Sequence, residues 1–385
     1  MKSKTSKEMK PFIVMDVLQR ALELEEKGKH IIHMEIGEPD FDTPSAIVAA
    51  GIDSLRRGET HYTDSRGILK LRRAVAKYYN INYGLDISET QVLITMGVSP
   101  ALLTVLSSLI NNNGDEIILS NPYYPCYPNF IKHLGGTPRF IRTKAEDGFH
   151  LNPAMVKEAI GPDTKAILVN SPSNPVGTII STDALKEICG MGIPVISDEI
   201  YHGLVYGEEA HSSLEFTENT YILNGFSKIF AMTGWRLGYV IAPAKAVRKI
   251  EIILQNFFIS PNSFVQRGGI AALELNHPEI EEMKKKYNLR RKFLLGKLSA
   301  MGLKCAVEPK GAFYIFADAR HIEKDSYKLA FDILDKAGVA LTPGIDFGDQ
   351  GEGYLRLSYA NSMENLAEGA SRLKQYLNNN GYRGQ

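Results

Sequence analysis

The chain has 385 residues, and its 44 lysines and arginines balance 44 aspartates and glutamates, so the formal net charge is zero. That balance argues against a nucleic-acid binder, which needs a basic excess or stripe to release counterions from phosphate. A hydrophobic share of 44%, with 23% charged and 9% aromatic residues, is ordinary globular composition; it excludes disorder and collagen-like order, and the length points to two or three domains around a large core.

The chain opens MKSKTSKEMK and continues PFIVMDVLQRALELEEKGK. Val14, Val17, Leu18, Ala21, Leu22 and Glu25 recur at helical spacing and predict an amphipathic helix stopped by Gly28. A secretory signal would need a continuous apolar stretch followed by small residues, and a bilayer span would need about 18 apolar residues. Neither pattern occurs, so the expectation is a soluble cytoplasmic protein with no membrane contact. IIHMEIGEPDFDTP reads as a short strand running into turns. His30 and His33 would point to opposite faces of that strand, which argues against a metal pair.

From about Gln91 to about Ile241 short apolar runs alternate with helical segments. VLIT, EIILS, RFIRT, KAILVN, PVISD, TYILNGF and GYVIA are candidate strands; PALLTVLSSLI, NPAMVKEAI and TDALKEICGM are candidate helices. This is the pattern of an α/β fold, a mostly parallel central sheet with helices on both faces, in which ligands bind at the carboxyl ends of the strands. After His277 a long charged helix is expected, with Ile280, Met283, Tyr287, Leu294 and Leu298 on one face and Glu281–Lys285 and Glu282–Lys286 as exposed pairs. GAFYIFAD and YLRLSYA around the helix DSYKLAFDILDKAG suggest a smaller α+β unit, and the tail NNNGYRGQ is expected to fray. Cys126, Cys189 and Cys305 are odd in number and show no CxxC spacing, so neither a disulfide framework nor a metal site is expected, and a reducing compartment fits. No GxxxxGK or strand-linked GxGxxG phosphate loop occurs.

The chemistry concentrates in NGFSKIFAMTGWRLGYV, residues 224 to 240. Lys228 follows a strand-like run in an apolar, small-residue setting, where burial lowers the pKa and leaves a nucleophilic amine able to form a Schiff base. Arg236 stands eight residues on. Asn174 in SPSNPVG and Asp198 with Tyr201 in SDEIYHG place an amide, a carboxylate and a phenol at strand ends, at the mouth of the predicted sheet.

Lys228 in SKxxxMxGWRxGY, Asn174 in NPxG, and Asp198 with Tyr201 in DExY, in this order, resemble the class I aminotransferases, pyridoxal-phosphate enzymes of the aspartate aminotransferase fold type (fold type I). The resemblance extends through GEPDFDTP, YTDSRGILKLR, TMGVSPAL, NPYYPCY, PKGAFY, PGIDFG and YLRLSYA. It implies that Lys228 is the catalytic Schiff-base lysine and proton shuttle, that Asp198 pairs with the pyridine nitrogen, and that Tyr201 and Asn174 hydrogen-bond the phenolic oxygen. It further implies that Arg236, the backbone N–H groups of Val98 and Ser99 and the Ser99 hydroxyl hold the phosphate, and that Tyr124 stacks on the ring. Arg356 would bind the substrate α-carboxylate with help from Gly37 and Asn174. Tyr62 would reach the phosphate of a neighbouring subunit, which implies a homodimer with its sites at the interface.

One position departs from the pattern: Gly225 stands where similar sequences carry a phosphate-binding serine, so the phosphate would lose one hydroxyl, or Ser227 would compensate from the wrong side of the strand. The expected activity is ping-pong transfer of an amino group from an L-amino acid of the aspartate or alanine type to a 2-oxo acid, with 2-oxoglutarate as acceptor. The alternative is a lyase on the same scaffold, either a carbon–sulfur β-lyase or a γ-eliminating synthase. A sensor fused to a DNA-binding module would need a further N-terminal domain, for which the stretch before GEPDFDTP leaves no room. Arg66 is a candidate for a distal carboxylate, and Phe12, Ile13 and Val14 favour a small or apolar side chain instead. The resemblance divides the chain into a large cofactor-binding domain, 46–285, and a small domain formed by 1–45 and 286–385.

Overall fold

The structure, a computed structural model, describes residues 9–382. The first eight residues, where part of the leader reading falls, and the last three of the tail lie outside the described residues.

In chain order the helices are α1 (Ile13–Glu26), α2 (Ser45–Arg56), α3 (Leu69–Tyr83), α4 (Val98–Leu109), α5 (Cys126–His133), α6 (Pro153–Ala159), α7 (Thr182–Cys189), α8 (Ala244–Phe257), α9 (Ser263–Glu274), α10 (Pro278–Ser299), α11 (Ser326–Ala337) and α12 (Met363–Asn379). The strands are β1 (Ile32–His33), β2 (Val92–Thr95), β3 (Glu116–Asn121), β4 (Thr137–Arg142), β5 (Thr164–Asn170), β6 (Val195–Asp198), β7 (Thr220–Gly225), β8 (Gly238–Ile241), β9 (Tyr314–Asp318), β10 (Val339–Ala340), β11 (Thr342–Pro343) and β12 (Tyr354–Ser358).

Seven strands form the central sheet in the order β2-β8-β7-β6-β5-β3-β4, and β8 is the antiparallel member. Alternate residues of one strand serve opposite cores, which is why the runs inside the sheet are mostly apolar while the edge strand β4 is largely exposed. Ile117 and Leu119 pack with Leu102, Val105 and Leu106 of α4 and with Ile250 of α8. Ile118, between them, packs with Val156 of α6 and with Leu185 and Ile188 of α7. Further along that second face Ile94, Ile222 and Ile241 meet Leu71 and Val75 of α3 and Val265 of α9. The doubly covered α/β sheet expected from the sequence is therefore present.

A second, antiparallel sheet β11-β12-β9 packs with α10, α11 and α12. The N-terminal segment joins it: β1 pairs with β10, and Val17, Ala21 and Leu24 of α1 pack on Leu334 and Ala340. Leu22, expected on the buried face, is 48% exposed, because Leu24 falls on the stripe begun by Val14, Val17 and Ala21. The domain boundary expected after residue 285 falls inside α10, which runs unbroken through it. On that helix Glu281 pairs with Lys284 at 3.1 Å instead of Lys285, while Glu282 and Lys286 pair at 3.8 Å. The tail is ordered further than expected, since α12 continues to Asn379. His33 pairs with Glu35 at 2.8 Å and with Glu25 at 3.3 Å, and no cluster of three metal-ligating side chains occurs among the described residues. No helix among them is long and apolar enough to cross a membrane.

Candidate active site

The parallel strands of the central sheet all end on one side, and the segments leaving them converge there. β2 leads into α4, β3 leads to Tyr124, β5 ends at Asn170 ahead of Asn174, β6 ends at Asp198 ahead of Tyr201, and β7 leads to Lys228. Together with Gly37, Arg236 and Arg356 these segments line one cavity of about 330 Å³. Val98, Ser99, Tyr124, Asn174, Asp198, Tyr201 and Lys228 all lie on its wall.

Asp198 is buried, and burial pushes its carboxyl up to about 6, against the Tyr127 hydroxyl that donates to Oδ2 at 2.6 Å and the Ile200 N–H that donates to Oδ1 at 3.2 Å. The Tyr201 hydroxyl lies 2.8 Å from that of Tyr314, and burial holds the Tyr201 phenol well above its usual range. Lys228 is half-buried, and its amine donates to the Gly37 carbonyl at 2.5 Å. Burial pulls this amine down to about 8, assisted by Arg356 and Arg236 and opposed by Glu38 and Asp198. A side chain at Gly37 would run into the Tyr314 hydroxyl.

Arg236 has φ +55°, a left-handed conformation that arginine seldom adopts and that collects at functional sites. Its Nη1 donates to the Thr233 carbonyl at 2.9 Å, and its Nη2 sits where a Cβ on Gly97 would come within 2.8 Å. Gly97 (φ +97°) immediately precedes α4, so the guanidinium lies beside the open N–H groups of that helix. Arg356 is buried, with Nη1 on Asn174 Oδ1 at 3.1 Å and Nη2 on Thr342 Oγ1 at 3.1 Å and on the Glu35 carbonyl. Its Nε has no partner among the described residues.

Gly225 faces Gly238 across β7 and β8, and a Cβ there would meet the Leu237 carbonyl at 2.9 Å and the Gly238 Cα at 3.0 Å. A serine here would therefore be crowded by the neighbouring strand. Ser227 lies beyond the end of β7 and lines the cavity, so strand alternation does not turn it away as expected.

Tyr62 is not brought to this cavity; it is 81% exposed. Arg66 is also off the wall, 3.7 Å from Glu251 and 3.8 Å from Asp64. Of the apolar trio, Phe12 and Val14 line the cavity and Met15 joins them, while Ile13 packs toward the core beside α1. Sequence reasoning missed Tyr127, Asn170 and Tyr314. Tyr127 and Tyr314 close the motifs NPYYPCY and PKGAFY, and Asn170 closes the strand KAILVN, positions at which a side chain faces the strand ends.

The donor set fits pyridoxal phosphate: a buried carboxylate for a ring nitrogen, a phenol ring at Tyr124, a helix N-terminus with an arginine for a dianion, and an amine of lowered pKa. Residues 29–373 match the family model for aminotransferase class I and II. The chain is 45% identical to a (5-formylfuran-3-yl)methyl phosphate transaminase of Methanocaldococcus jannaschii, over 98% of this chain and 100% of that one. It is 39% identical to an aspartate aminotransferase of Pyrococcus horikoshii, over 94% of each. Among solved structures, aspartate aminotransferase from Thermus thermophilus with maleate superposes with a TM-score of 0.93 at 36% identity, covering 97% of this chain and 99% of that one. A Methanococcus jannaschii protein described as similar in its active site to kynurenine aminotransferases superposes with a TM-score of 0.90 at 44% identity, covering 98% and 100%. The fold, the converging strand ends and these similarities agree: the chain belongs to the class I and II aminotransferases, a family dependent on pyridoxal phosphate.

Proposed function

We propose that this aminotransferase moves the amino group of an L-amino acid to a 2-oxo acid by a ping-pong mechanism, with Lys228 as the proton carrier. One observation carries the reading: Lys228, with its lowered pKa, shares a single cavity with the buried carboxylate of Asp198 and with a buried guanidinium, Arg356, that keeps an unpartnered Nε. When bound, pyridoxal phosphate supplies a carbonyl that exchanges with the substrate amine and a ring that accepts the electron pair left at the α-carbon.

The chain's own groups do the rest. Arg236 and the Val98 and Ser99 N–H groups hold the phosphate. Asp198 keeps a proton on the ring nitrogen, Tyr124 covers the ring, and Tyr201 with Asn174 binds the phenolic oxygen. Arg356, beside Gly37 and Asn174, binds the substrate α-carboxylate. Lys228 would carry the proton between the substrate α-carbon and the cofactor's carbonyl carbon.

For the donor we propose the aspartate or alanine type, with 2-oxoglutarate as acceptor; relatives named aspartate aminotransferases support this. A second reading, a larger ring-bearing substrate, is favoured by the apolar wall of Phe12, Val14 and Met15 and by the furan-phosphate relative. We further propose a homodimer, a two-domain division at about residues 45 and 285, and a cytoplasmic location. Exposed Tyr62, Phe257 and Ile259 support the dimer, since the Tyr62 loop is tied to the Phe257–Ile259 stretch through Thr63 N to Ser260 Oγ at 3.3 Å. The three free cysteines suit a reducing compartment.

The test is a panel of single amino donors offered without an acceptor. Stoichiometric release of the oxo acid, one per site, is the expected result. Continuous release of ammonia or thiol would assign the chain to the lyases instead.

A further inference from the structure

One carboxylate outside the cavity determines where part of its wall stands. Phe12, the residue ahead of α1, provides no side-chain cap, so the first N–H groups of that helix need another acceptor. They find it more than three hundred residues away: Asp346 Oδ1 accepts from Ile13 N at 3.0 Å and Oδ2 from Val14 N at 3.2 Å. Just upstream, Lys10 and Asn129 of α5 exchange two hydrogen bonds, each 3.0 Å long. Between and beside these two fastenings stand Phe12, Val14 and Met15, which line the cavity, and the Phe12 ring meets Tyr124 edge-on at 5.9 Å.

Asp346 belongs to the four-residue turn Gly344–Phe347. The next residue in that turn, Phe347, lies with its ring 4.9 Å from the Arg356 guanidinium carbon. The apolar wall and the guanidinium assigned to the α-carboxylate are thus referred to the same short piece of backbone.

We propose that Asp346 is a positioning residue for side-chain specificity: by capping α1 from a distance it holds Phe12, Val14 and Met15 at a fixed separation from Arg356, and so sets the size and polarity of the amino donor's side chain. The proposal rests on the function proposed above, and its test separates the two. Hydrogen–deuterium exchange is measured on the cofactor-loaded parent and on Asp346→Ala, Asp346→Asn and Phe12→Ala, and each is assayed with alanine and with an aromatic donor.

In Asp346→Ala, exchange at Ile13 and Val14 is expected to quicken by about fivefold or more, the factor that a lost helix cap is worth. KM for the aromatic donor should rise by about tenfold while that for alanine moves by less than about twofold. Asp346→Asn, which keeps the volume and one acceptor, should show the same changes at smaller size and serves if the alanine variant does not fold. Phe12→Ala should show the selective KM change without faster exchange. Unchanged exchange at Ile13 and Val14, or KM values that move alike for both donors, overturns the proposal. A parent inactive with every donor overturns the proposed function and, with it, the specificity role of Asp346, even where exchange shows the cap on α1.

Discussion

The hydroxyl of Tyr127 donates to the carboxylate of Asp198 at 2.6 Å, although the two are 71 residues apart. Tyr127 comes from the first turn of α5, and Asp198 ends β6. The bond opposes the burial that raises the Asp198 carboxyl, so it favours the ionised form that would hold a proton on the cofactor ring.

Tyr127→Phe keeps the ring packed and deletes that donor. A hydrogen bond to a charged group contributes enough that its loss should weaken pyridoxal phosphate binding by roughly tenfold or more. Titrating the cofactor-free variant with pyridoxal phosphate checks this. Equal affinity in variant and parent would show that Tyr127 does not support Asp198.

Gly225→Ser would supply the hydroxyl expected from the family resemblance, yet its Cβ would press on the Leu237 carbonyl, the Gly238 Cα and the Val98 side chain. Two of these are backbone atoms that cannot swing aside. The variant should lose about 1–3 kcal/mol of stability through overpacking and gain no cofactor affinity. Denaturant unfolding and cofactor titration on the same preparation give both answers, and a tighter-binding variant of undiminished stability would refute the packing account.

The contrast between Gly225 and Lys228 shows what the sequence could carry. Lys228, Asp198 and Asn174 follow recognisable strand runs, and a parallel sheet brings strand ends together whatever the loops do. Six of the seven strands were legible because burial on both faces makes them mostly apolar runs, whereas the edge strand β4 is buried at Ile141 alone. What stayed hidden depends on distant contacts. Tyr127 and Tyr314 matter through the phenol or carboxylate opposite them, Asp346 through a helix end over three hundred residues away, and Gly225 through a neighbouring strand. Even Leu22 and Leu24 of α1 were separable only once the direction of their core was known.

Lys228 gives a pH prediction for the cofactor-free protein. Burial pulls its amine from an ordinary value of 10.5 down to about 8. Below about pH 8 both folded and unfolded chains hold the proton, and the fold bears the full cost of an enclosed ammonium. Between the two values only the unfolded chain holds it, so stability rises with pH across that window. Lys228→Met should therefore stabilise the cofactor-free protein more at about pH 7 than at about pH 10. Unfolding of parent and variant at both pH values tests this, and a gap that does not narrow with rising pH would mean that the amine is not desolvated as described.

Tyr62 tests the proposed assembly. Within one chain it is 81% exposed and away from the cavity wall, so a role in cofactor binding requires a second chain to present it. In a two-fold dimer each site would combine Lys228 of one chain with Tyr62 of the other. Lys228→Ala and Tyr62→Ala dimers should each transaminate poorly. When the two are unfolded together and refolded, mixed dimers form in which one site draws both of its altered residues from the variant chains and the other is intact. Activity above that of either variant refolded alone is the expected result, measured beside a size-exclusion profile showing dimers. If the mixture performs as the average of its parts, Tyr62 does not act across an interface, and its exposure has some other cause.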